Sequence, residues 1–278
     1  MPALPSNRYV DSKNTQPRNL RSAKKCARLS SIELASGLTN SLTNMLPQSL
    51  EEQYRTINTV YIHKQALKHN LKLFRTLLPH HSICPVLKSN AYGHDLVGVA
   101  EALTPENPDY FIVDSLYEAY SLRVAKIQTP ILVMGYTLPI NVPLRHNDFH
   151  FSVSDMDGAA ALAKTGAPVH LKVETGLHRM GFTVAELRQS IGEMKKMGLN
   201  IIGVFSHLSD ADNPKNNRYS KTQLDVFRSA VSLIREAGFA PRWIHIAASA
   251  GALKTDFPES NLVRLGLALY GINPYQPS

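Results

Sequence analysis

The feature that most constrains this fold is an alternation, beginning near residue 57, of short β-branched apolar runs with stretches of helical periodicity. Strand–helix alternation predicts parallel strands joined by helical crossovers, and runs that are apolar on both faces predict a sheet that helices cover. Eight runs have the length and composition of such strands: 83–88, 110–114, 130–134, 148–153, 169–174, 201–207, 242–248 and 262–265. Helical periodicity lies between them at 94–104, 115–126, 154–165, 183–197 and 220–237.

Eight strand–helix units in this length of chain predict a compact (β/α)8 TIM barrel of the α/β class. An open doubly wound sheet is the alternative, although no Gly-x-Gly-x-x-Gly loop follows the first run, as a dinucleotide fold requires. A ninth apolar run, 59–63, precedes the eight. Because a closed barrel leaves it no partner, we expect this run to form a strand that pairs outside the barrel.

Residues 1–56 differ in composition from the rest of the chain. The sequence has 30 Lys and Arg against 22 Asp and Glu, a net charge of +8, and basic residues are concentrated in its first thirty positions. The segment is rich in Ser, Asn and Thr and has no secretory apolar stretch. We predict a basic, disordered N-terminal extension, 1–56, followed by a barrel domain, 57–278. A cytoplasmic location is expected, with organelle targeting by the basic segment as the open alternative.

Charge distribution and cysteine content exclude several classes of protein. The basic excess beyond the extension is thinly spread, so we expect no nucleic-acid partner. No apolar run reaches the ~18–20 residues that cross a bilayer, so we expect no membrane partner. Two cysteines, Cys26 and Cys84, are too few for a disulfide framework or a cysteine-based zinc site, and they indicate a reducing compartment. No metal is expected.

Polar residues stand at the carboxyl ends of the candidate strands, where the active site of a (β/α)8 barrel lies. They are Lys88, Asp114, Glu174, His207, Ser249 and Arg264, with Arg179 just beyond the fifth run. A partly desolvated amine at the rim of the barrel is suited to form a Schiff base, which is the role expected of Lys88, whereas a lysine that extends to solvent is the alternative. The loops 248–252 and 264–267 offer the small residues and backbone N–H groups that bind phosphate. A reactive lysine opposite a phosphate site is what pyridoxal 5′-phosphate (PLP) requires.

Five segments in order along the chain resemble the alanine racemase family of fold-type III PLP enzymes. The first is Lys-Ser-Asn-Ala-Tyr-Gly-His at 88–94, and the others are 170–176 with 179–181, 206–208 with 211–212, 245–250, and 263–271. One such segment could arise by chance, whereas five in register are specific. The resemblance covers about 57–275 and implies a barrel that interconverts L-alanine and D-alanine, the latter for bacterial peptidoglycan.

The resemblance implies a role for each residue at a matching position. Lys88 would bind PLP covalently and act as the catalytic base on one face of the substrate. The cofactor phosphate would be held by Tyr92, Ser249 and the backbone of Gly266 and Leu267.

Four further residues would contact the ring of the cofactor or support that contact. Arg264 would meet the pyridine nitrogen, and His207 would position Arg264. Arg179 would bond the phenolic oxygen of PLP. Lys172 would lie beside Arg179 and, as often in the family, would be carbamylated.

Members of the family continue into a C-terminal β-domain, which supplies a tyrosine as the second base from the other subunit of a homodimer. The sequence ends at Ser278 without that domain, so we expect a truncated form in which dimerisation is in doubt. Tyr270 and Tyr275 are near its end, with no sign that either reaches the substrate. A non-catalytic, barrel-only PLP-binding protein is therefore the alternative function. An amino-acid decarboxylase of similar barrel is a third, although its glycine-rich phosphate motif is absent.

Overall fold

The computed structural model describes residues 60–143, 149–213, 217–254 and 257–273. The predicted extension and its boundary at 56/57 lie outside these residues. The chain between 60 and 273 forms eight short strands, and each overlaps one of the eight predicted runs. They are β1 Ser82–Pro85, β2 Phe111–Val113, β3 Ile131–Val133, β4 Phe149–Val153, β5 Val169–Lys172, β6 Ile201–Phe205, β7 Trp243–His245 and β8 Leu262–Leu265.

All the strand pairs are parallel, and paired strands are consecutive along the chain except for β1 and β8, the first and the last. Strands β2 to β7 form one six-stranded sheet in chain order, and β1 pairs with β8. Single bridges join these two sheets, from Val86 to Ile112 at one edge and from Ala248 to Arg264 at the other. Each strand thus has a neighbour on both sides, which fits a (β/α)8 barrel and not the doubly wound alternative, whose strand order reverses.

Seven helices accompany the strands in the described ranges. They are α1 Lys64–Leu77, α2 Leu96–Leu103, α3 Leu116–Val124, α4 Met156–Ala163, α5 Val184–Lys196, α6 Asn217–Glu236 and α7 Ser249–Lys254. The five predicted helices correspond to α2–α6 and are confirmed. Side chains fix several starting points, because Ser115, Asp155 and Thr183 each accept a backbone N–H from the first turn that follows. No helix of these ranges is both long and apolar enough to cross a membrane.

The predicted strand at 59–63 is wrong for the part that the structure describes. Residues 60–63 belong to no strand, and the imidazole of His63 accepts the N–H of Ala66 at 3.2 Å as the N-cap of α1. The prediction required a partner strand outside the barrel, and the described residues contain none. The apolar character of the segment is explained in part by Ile62, which packs against the hydrophobic core.

The interior of the barrel holds polar side chains among its apolar ones. His170 and His245 are fully buried there, together with Arg264. Gly203 makes room for them, since a Cβ at this position would lie 2.3 Å from Nδ1 of His170. The outer core packs helices such as α1 onto the strands through Leu71 and other large apolar residues. The barrel therefore has buried polar side chains in its interior and apolar residues between its strands and helices.

Candidate active site

The carboxyl ends of the strands open onto a cavity of about 660 Å³. Parallel strands of a barrel end at the same rim, so side chains far apart in sequence meet there. Asp114 also lines the cavity, whereas Glu174 is not among its lining residues. The nine residues to which the resemblance gives a role all line it: Lys88, Tyr92, Lys172, Arg179, His207, Ser249, Arg264, Gly266 and Leu267.

Lys88 begins a left-handed turn, Lys88–Gly93, which we call the lysine turn. The four non-glycine residues from Ser89 to Tyr92 have φ values of 54° or 55°, and Gly93 has 83°. A left-handed backbone costs an L-residue ~1–2 kcal/mol, so four in succession need support from their surroundings. Local support includes the bond from Ala91 N–H to the carbonyl of Leu87, at 2.7 Å. The turn places half-buried Lys88 and Tyr92 on the same cavity.

One side of the cavity, which we call the neutral wall, consists of Tyr92, Ser249, Gly266 and Leu267. The buried Oγ of Ser249 accepts the N–H groups of Gly266 and Ala268, at 3.1 and 3.2 Å. A Cβ at Gly266 would lie 2.8 Å from the hydroxyl of Tyr92, so this close approach requires glycine. Burial raises the pKa of Tyr92, which keeps its hydroxyl protonated. The wall therefore presents uncharged hydroxyl and backbone groups.

A second group of lining residues, which we call the cationic wall, consists of Lys172, Arg179, His207 and Arg264. The guanidinium of Arg264 is 3% exposed. Its two Nη groups donate to five acceptors: Nδ1 of His207 at 3.1 Å, Nδ1 of His245 at 2.7 Å, and the carbonyls of Ser206, His245 and Ile246. The Nε–H group donates to none of the described residues. Arg264 is thus fixed on one side and has one donor left.

The charge of Arg264 persists although its surroundings oppose it. Burial and the positive charge of Arg179 lower the pKa of Arg264 to about 9. A pKa of about 9 still keeps the guanidinium protonated near neutral pH. Arg264 therefore remains a donor to any group in the cavity.

The hydrogen bonds from Arg264 fix the protonation of the neighbouring histidines. A guanidinium only donates, so Nδ1 of His207 and Nδ1 of His245 must accept, and each neutral ring carries its proton on Nε2. Burial and the charge of Arg264 lower the pKa of His207 to about 3, which keeps it neutral. Nε2 of His245 lies 2.9 Å from Nδ1 of His170, and His170 Nε2 has no partner in the described chain.

His245 is a site-supporting residue that the sequence analysis missed. It does not line the cavity, but it bonds Arg264 directly and is fully buried. Burial, followed by the charge of Arg264, lowers the pKa of His245 well below its usual value. The signal that could have found it is its place at the end of β7, next to the strand that carries Arg264.

Lys172 is buried in the cationic wall, at 5% exposure. Burial, Arg179 and Arg264 lower the pKa of Lys172 to about 8. Its Nζ lies over the ring of Phe205, 5.7 Å from the centroid. A fraction of this amine is therefore unprotonated near neutral pH, and it has two arginines as electrostatic neighbours.

Arg179 is carried by an exposed loop that Glu174 closes. The carboxylate of Glu174 accepts the N–H of Gly176 through a short hydrogen bond and the N–H of Arg179 at 3.3 Å. Glu174 thus holds its own loop and does not face the cavity, although its position at a strand end made it a candidate. The Arg179 guanidinium lines the cavity from the exposed side.

Gln223 connects the loops that carry Arg179 and His207, a second contribution that the sequence analysis missed. This glutamine on α6 is fully buried. Its Oε1 accepts both the N–H and the hydroxyl of Ser209, each at 3.0 Å. Its Nε2 donates to Thr175 Oγ1 and to the carbonyl of His207, each at 3.2 Å. All four hydrogen-bonding capacities of the amide are used to join β5 and β6 loops.

Tyr270 supports the lysine turn from below. Its hydroxyl donates to the carbonyl of Val86 at 3.0 Å, and its ring centroid lies 5.2 Å from that of Tyr92. Burial raises the pKa of Tyr270 above the usual range. The Tyr270 hydroxyl is therefore committed to the backbone. Tyr275 lies outside the described residues.

Comparison with known proteins identifies the family. A family model for the N-terminal domain of alanine racemase matches residues 62–274. The alanine racemase of Citrifermentans bemidjiense is 35% identical over 228 residues, covering 77% of this chain and 60% of the relative. The alanine racemase of Streptococcus mutans is 32% identical over 229 residues, covering 80% and 60%.

Solved structures agree with the sequence comparison. The alanine racemase of Clostridium difficile in complex with cycloserine has a TM-score of 0.70 at 31% identity, with 76% of this chain and 60% of that chain covered. The enzyme from Streptomyces lavendulae has a TM-score of 0.69 at 34% identity, with 79% and 61% covered. The chain thus spans about 60% of the length of these relatives. The resemblance drawn from the five segments is confirmed: the chain belongs to the alanine racemase family and matches its N-terminal domain.

Proposed function

We propose that this chain binds PLP covalently through Lys88 and interconverts L-alanine and D-alanine. The observation that carries the proposal is a single cavity that joins a lysine amine, a buried arginine with an unused N–H, and a wall of uncharged hydroxyl and backbone groups. The relatives named alanine racemase support this reaction. Because the chain spans about 60% of their length, the activity, the alanine substrate and a homodimer are proposals for this chain.

The residues present fit the chemical groups of PLP. The neutral wall suits the phosphate, which the hydroxyls of Tyr92 and Ser249 and the backbone of Gly266 and Leu267 would hold. The N–H of Gly266, which donates to Ser249 Oγ in this structure, would then be shared with the phosphate. The free Nε–H of Arg264 suits the ring nitrogen, which is an acceptor when unprotonated. Arg179 would bond the phenolic oxygen from the exposed side.

PLP, when bound, supplies an electron sink that acidifies the α-hydrogen of an amino acid. Lys88 Nζ would remove that proton from one face of the α-carbon in one direction of the reaction and deliver a proton to the same face in the other direction, while racemisation needs a second group to act on the opposite face. Arg264 would donate to the ring nitrogen without giving up its proton, because its pKa of about 9 lies above neutrality. His207 would hold Arg264 in place through Nδ1. A ring nitrogen left unprotonated is a weaker sink, which favours return of the proton over side reactions.

Lys172 is the residue that we propose to be carbamylated. Its unprotonated amine would add to CO2, forming an N–C bond and releasing one proton. The carbamate would place a negative charge beside Arg179, where the structure shows two arginines that lower the pKa of Lys172. A ¹³C-labelled bicarbonate experiment would give a carbamate NMR signal that Lys172→Gln abolishes.

Trapping with borohydride tests the binding proposal. We expect reduction of the protein with bound PLP to add a stable pyridoxyl phosphate to the peptide that contains Lys88, as seen by mass spectrometry. Lys88→Ala should show no such label, whereas Lys164→Ala, a change at an exposed lysine outside the cavity, should label like wild type. Labelling of Lys88→Ala to the wild-type extent would overturn the proposal.

A second candidate function is PLP binding without racemisation. The observation that favours it is the commitment of the Tyr270 hydroxyl to the Val86 carbonyl, because racemisation uses a second proton-transferring group opposite Lys88. Measuring D-alanine formed from L-alanine by the unreduced protein with bound PLP separates the two functions. Label at Lys88 with no D-alanine would support the second candidate.

A further inference from the structure

Glu118, on α3, is a buried carboxylate whose bonds all go to backbone N–H groups. It is 9% exposed and belongs to no ion pair among the described residues. Oε1 accepts the N–H of Asn90, in the middle of the lysine turn, at 3.1 Å. Oε2 accepts the N–H of Asp114, at the end of β2, at 2.8 Å. One side chain therefore connects the turn that carries Lys88 to the neighbouring strand.

The same sequence motif elsewhere in the chain shows that this use of a glutamate is not the ordinary one. Thr183 and Glu186 form a capping box, in which the glutamate returns to the N–H of its own N-cap at 2.8 Å. Ser115 and Glu118 have the same spacing, and Ser115 Oγ accepts the Glu118 N–H at 3.3 Å. The carboxylate of Glu118, however, passes its N-cap and reaches across to Asn90.

We propose that Glu118 is a positioning residue that holds the lysine turn left-handed and thereby places Lys88 and Tyr92 for the cofactor. The inference rests on the proposed function. Hydrogen bonds to a carboxylate are stronger than those between neutral groups, and the one to Asn90 lies in the middle of the left-handed run. Of the other bonds at Asn90 and Ala91 in the described chain, one joins Asn90 Oδ1 to the N–H of Leu96, at the start of α2, at 2.8 Å, and the rest stay within residues 87–94. The bond to Glu118 is the one that ties the turn to α3 and, through Asp114, to the end of β2.

Without this bond, the turn would populate conformations in which Lys88 and Tyr92 leave the cavity. The apparent affinity for PLP falls by the fraction of protein that retains the competent turn. Hydrogen exchange at the Asn90 amide reports the same opening in the protein without cofactor. The two measurements should therefore change by a similar factor.

The test compares Glu118→Gln with Glu186→Gln, two changes in the same motif. Glutamine keeps one acceptor oxygen, but its amide N–H2 then faces the second backbone donor. We expect Glu118→Gln to weaken PLP binding about tenfold, which converts to ~1.4 kcal/mol, and to speed exchange at the Asn90 amide by a similar factor. Glu186→Gln should leave both quantities unchanged. Exchange at Val133, inside β3, should be unchanged in both variants.

The outcomes separate this inference from the proposed function. If wild type does not bind PLP, the proposed function fails, while exchange at Asn90 still decides whether Glu118 holds the turn. If wild type binds PLP and Glu118→Gln binds it equally with unchanged exchange, the inference is overturned. Faster exchange at Val133 as well as at Asn90 would indicate a general structural role and would also overturn it. If a truncating change such as Glu118→Ala fails to fold, the glutamine variant alone decides.

Discussion

The neutral wall and the cationic wall face the same cavity but are built in different ways. The neutral wall depends on backbone shape: a left-handed turn, a glycine with no room for a Cβ, and two N–H groups directed at Ser249. The cationic wall depends on side-chain bonds, of which Arg264 alone makes five. The difference shows that one cavity can be prepared for an anion in two ways, by backbone conformation in one part and by positively charged side chains held in place in another.

The two constructions should respond differently to mutation. The neutral wall can lose the Tyr92 hydroxyl without loss of fold, because that hydroxyl makes no hydrogen bond to the described residues. A wall made by buried hydrogen bonds leaves several polar groups unpaired when one member is removed. Changes in the cationic wall should therefore reduce stability, and a change at Tyr92 in the neutral wall should act mainly on binding.

The largest effect is expected from Arg264→Met. This change leaves acceptors such as the carbonyls of Ser206 and Ile246 buried without donors, so the free energy of unfolding should fall by ~3–5 kcal/mol. Tyr92→Phe, in the neutral wall, should change it by less than ~0.5 kcal/mol. Urea denaturation measures both. Equal losses in the two variants would show that the walls do not differ as described.

Gln223→Leu should give the next largest effect. Leucine leaves the Ser209 N–H and the His207 carbonyl without their partner, which should cost ~2 kcal/mol of unfolding free energy. Gln189→Leu, at an exposed position of α5, is the matched control and should be close to neutral. Equal changes in unfolding free energy for Gln223→Leu and Gln189→Leu, in thermal and urea unfolding, would contradict this role of Gln223.

Acid should destabilise the folded chain through His207, a member of the cationic wall. The pKa of His207 is about 3 in the folded chain against 6.5 for a free histidine. Between these two pH values, His207 is therefore protonated in the unfolded chain and neutral in the folded chain. The free energy of unfolding should thus decrease as the pH falls from 6.5 towards 3, by ~1.4 kcal/mol per pH unit from this group. His207→Gln should reduce the measured slope by about one proton. A slope that the variant leaves unchanged would contradict the assignment.

A smaller loss than in Arg264→Met or Gln223→Leu is expected from Tyr270→Phe, whose ring contacts Tyr92 of the neutral wall. Loss of the bond to the Val86 carbonyl should cost ~1 kcal/mol. Tyr117, which is 81% exposed, provides the control, since Tyr117→Phe should have no measurable effect on denaturation. A loss of unfolding free energy above ~3 kcal/mol in Tyr270→Phe would show that the neutral wall also depends on buried side-chain hydrogen bonds, as the cationic wall does.

Local patterns were sufficient to predict the barrel strands and the helices α2–α6. Strand periodicity and the polar residue at each strand end are properties of a few neighbouring residues, so cavity residues such as Lys88, His207 and Arg264 could be named from local pattern. Tyr92 and Lys172 were named only through the family resemblance. Helix α1 was also within reach, because Leu67, Leu71 and Phe74 repeat at helical spacing. The incorrect strand at 59–63 came from composition alone, which does not show whether a pairing partner exists.

The remaining features depend on contacts between distant parts of the chain. No residue between Ser89 and Tyr92 is a glycine, so nothing local indicates a left-handed turn, and a bond from Glu118, 28 residues away, helps to support it. His245 and Gln223 likewise take their importance from partners on other strands and loops. Their residue types alone are ordinary for a protein interior.

The handedness of the lysine turn reverses the usual order of residue preference over four positions. In an ordinary helix, alanine is favoured over glycine. At a φ of 55°, by contrast, the Cβ of alanine causes steric strain that glycine, which has no Cβ, avoids. Exposed Ser89 is the position where this reversal is simplest to exploit. Ser89→Gly would relieve backbone strain at this position, and a D-amino acid introduced there by chemical synthesis would adopt the same left-handed conformation without strain.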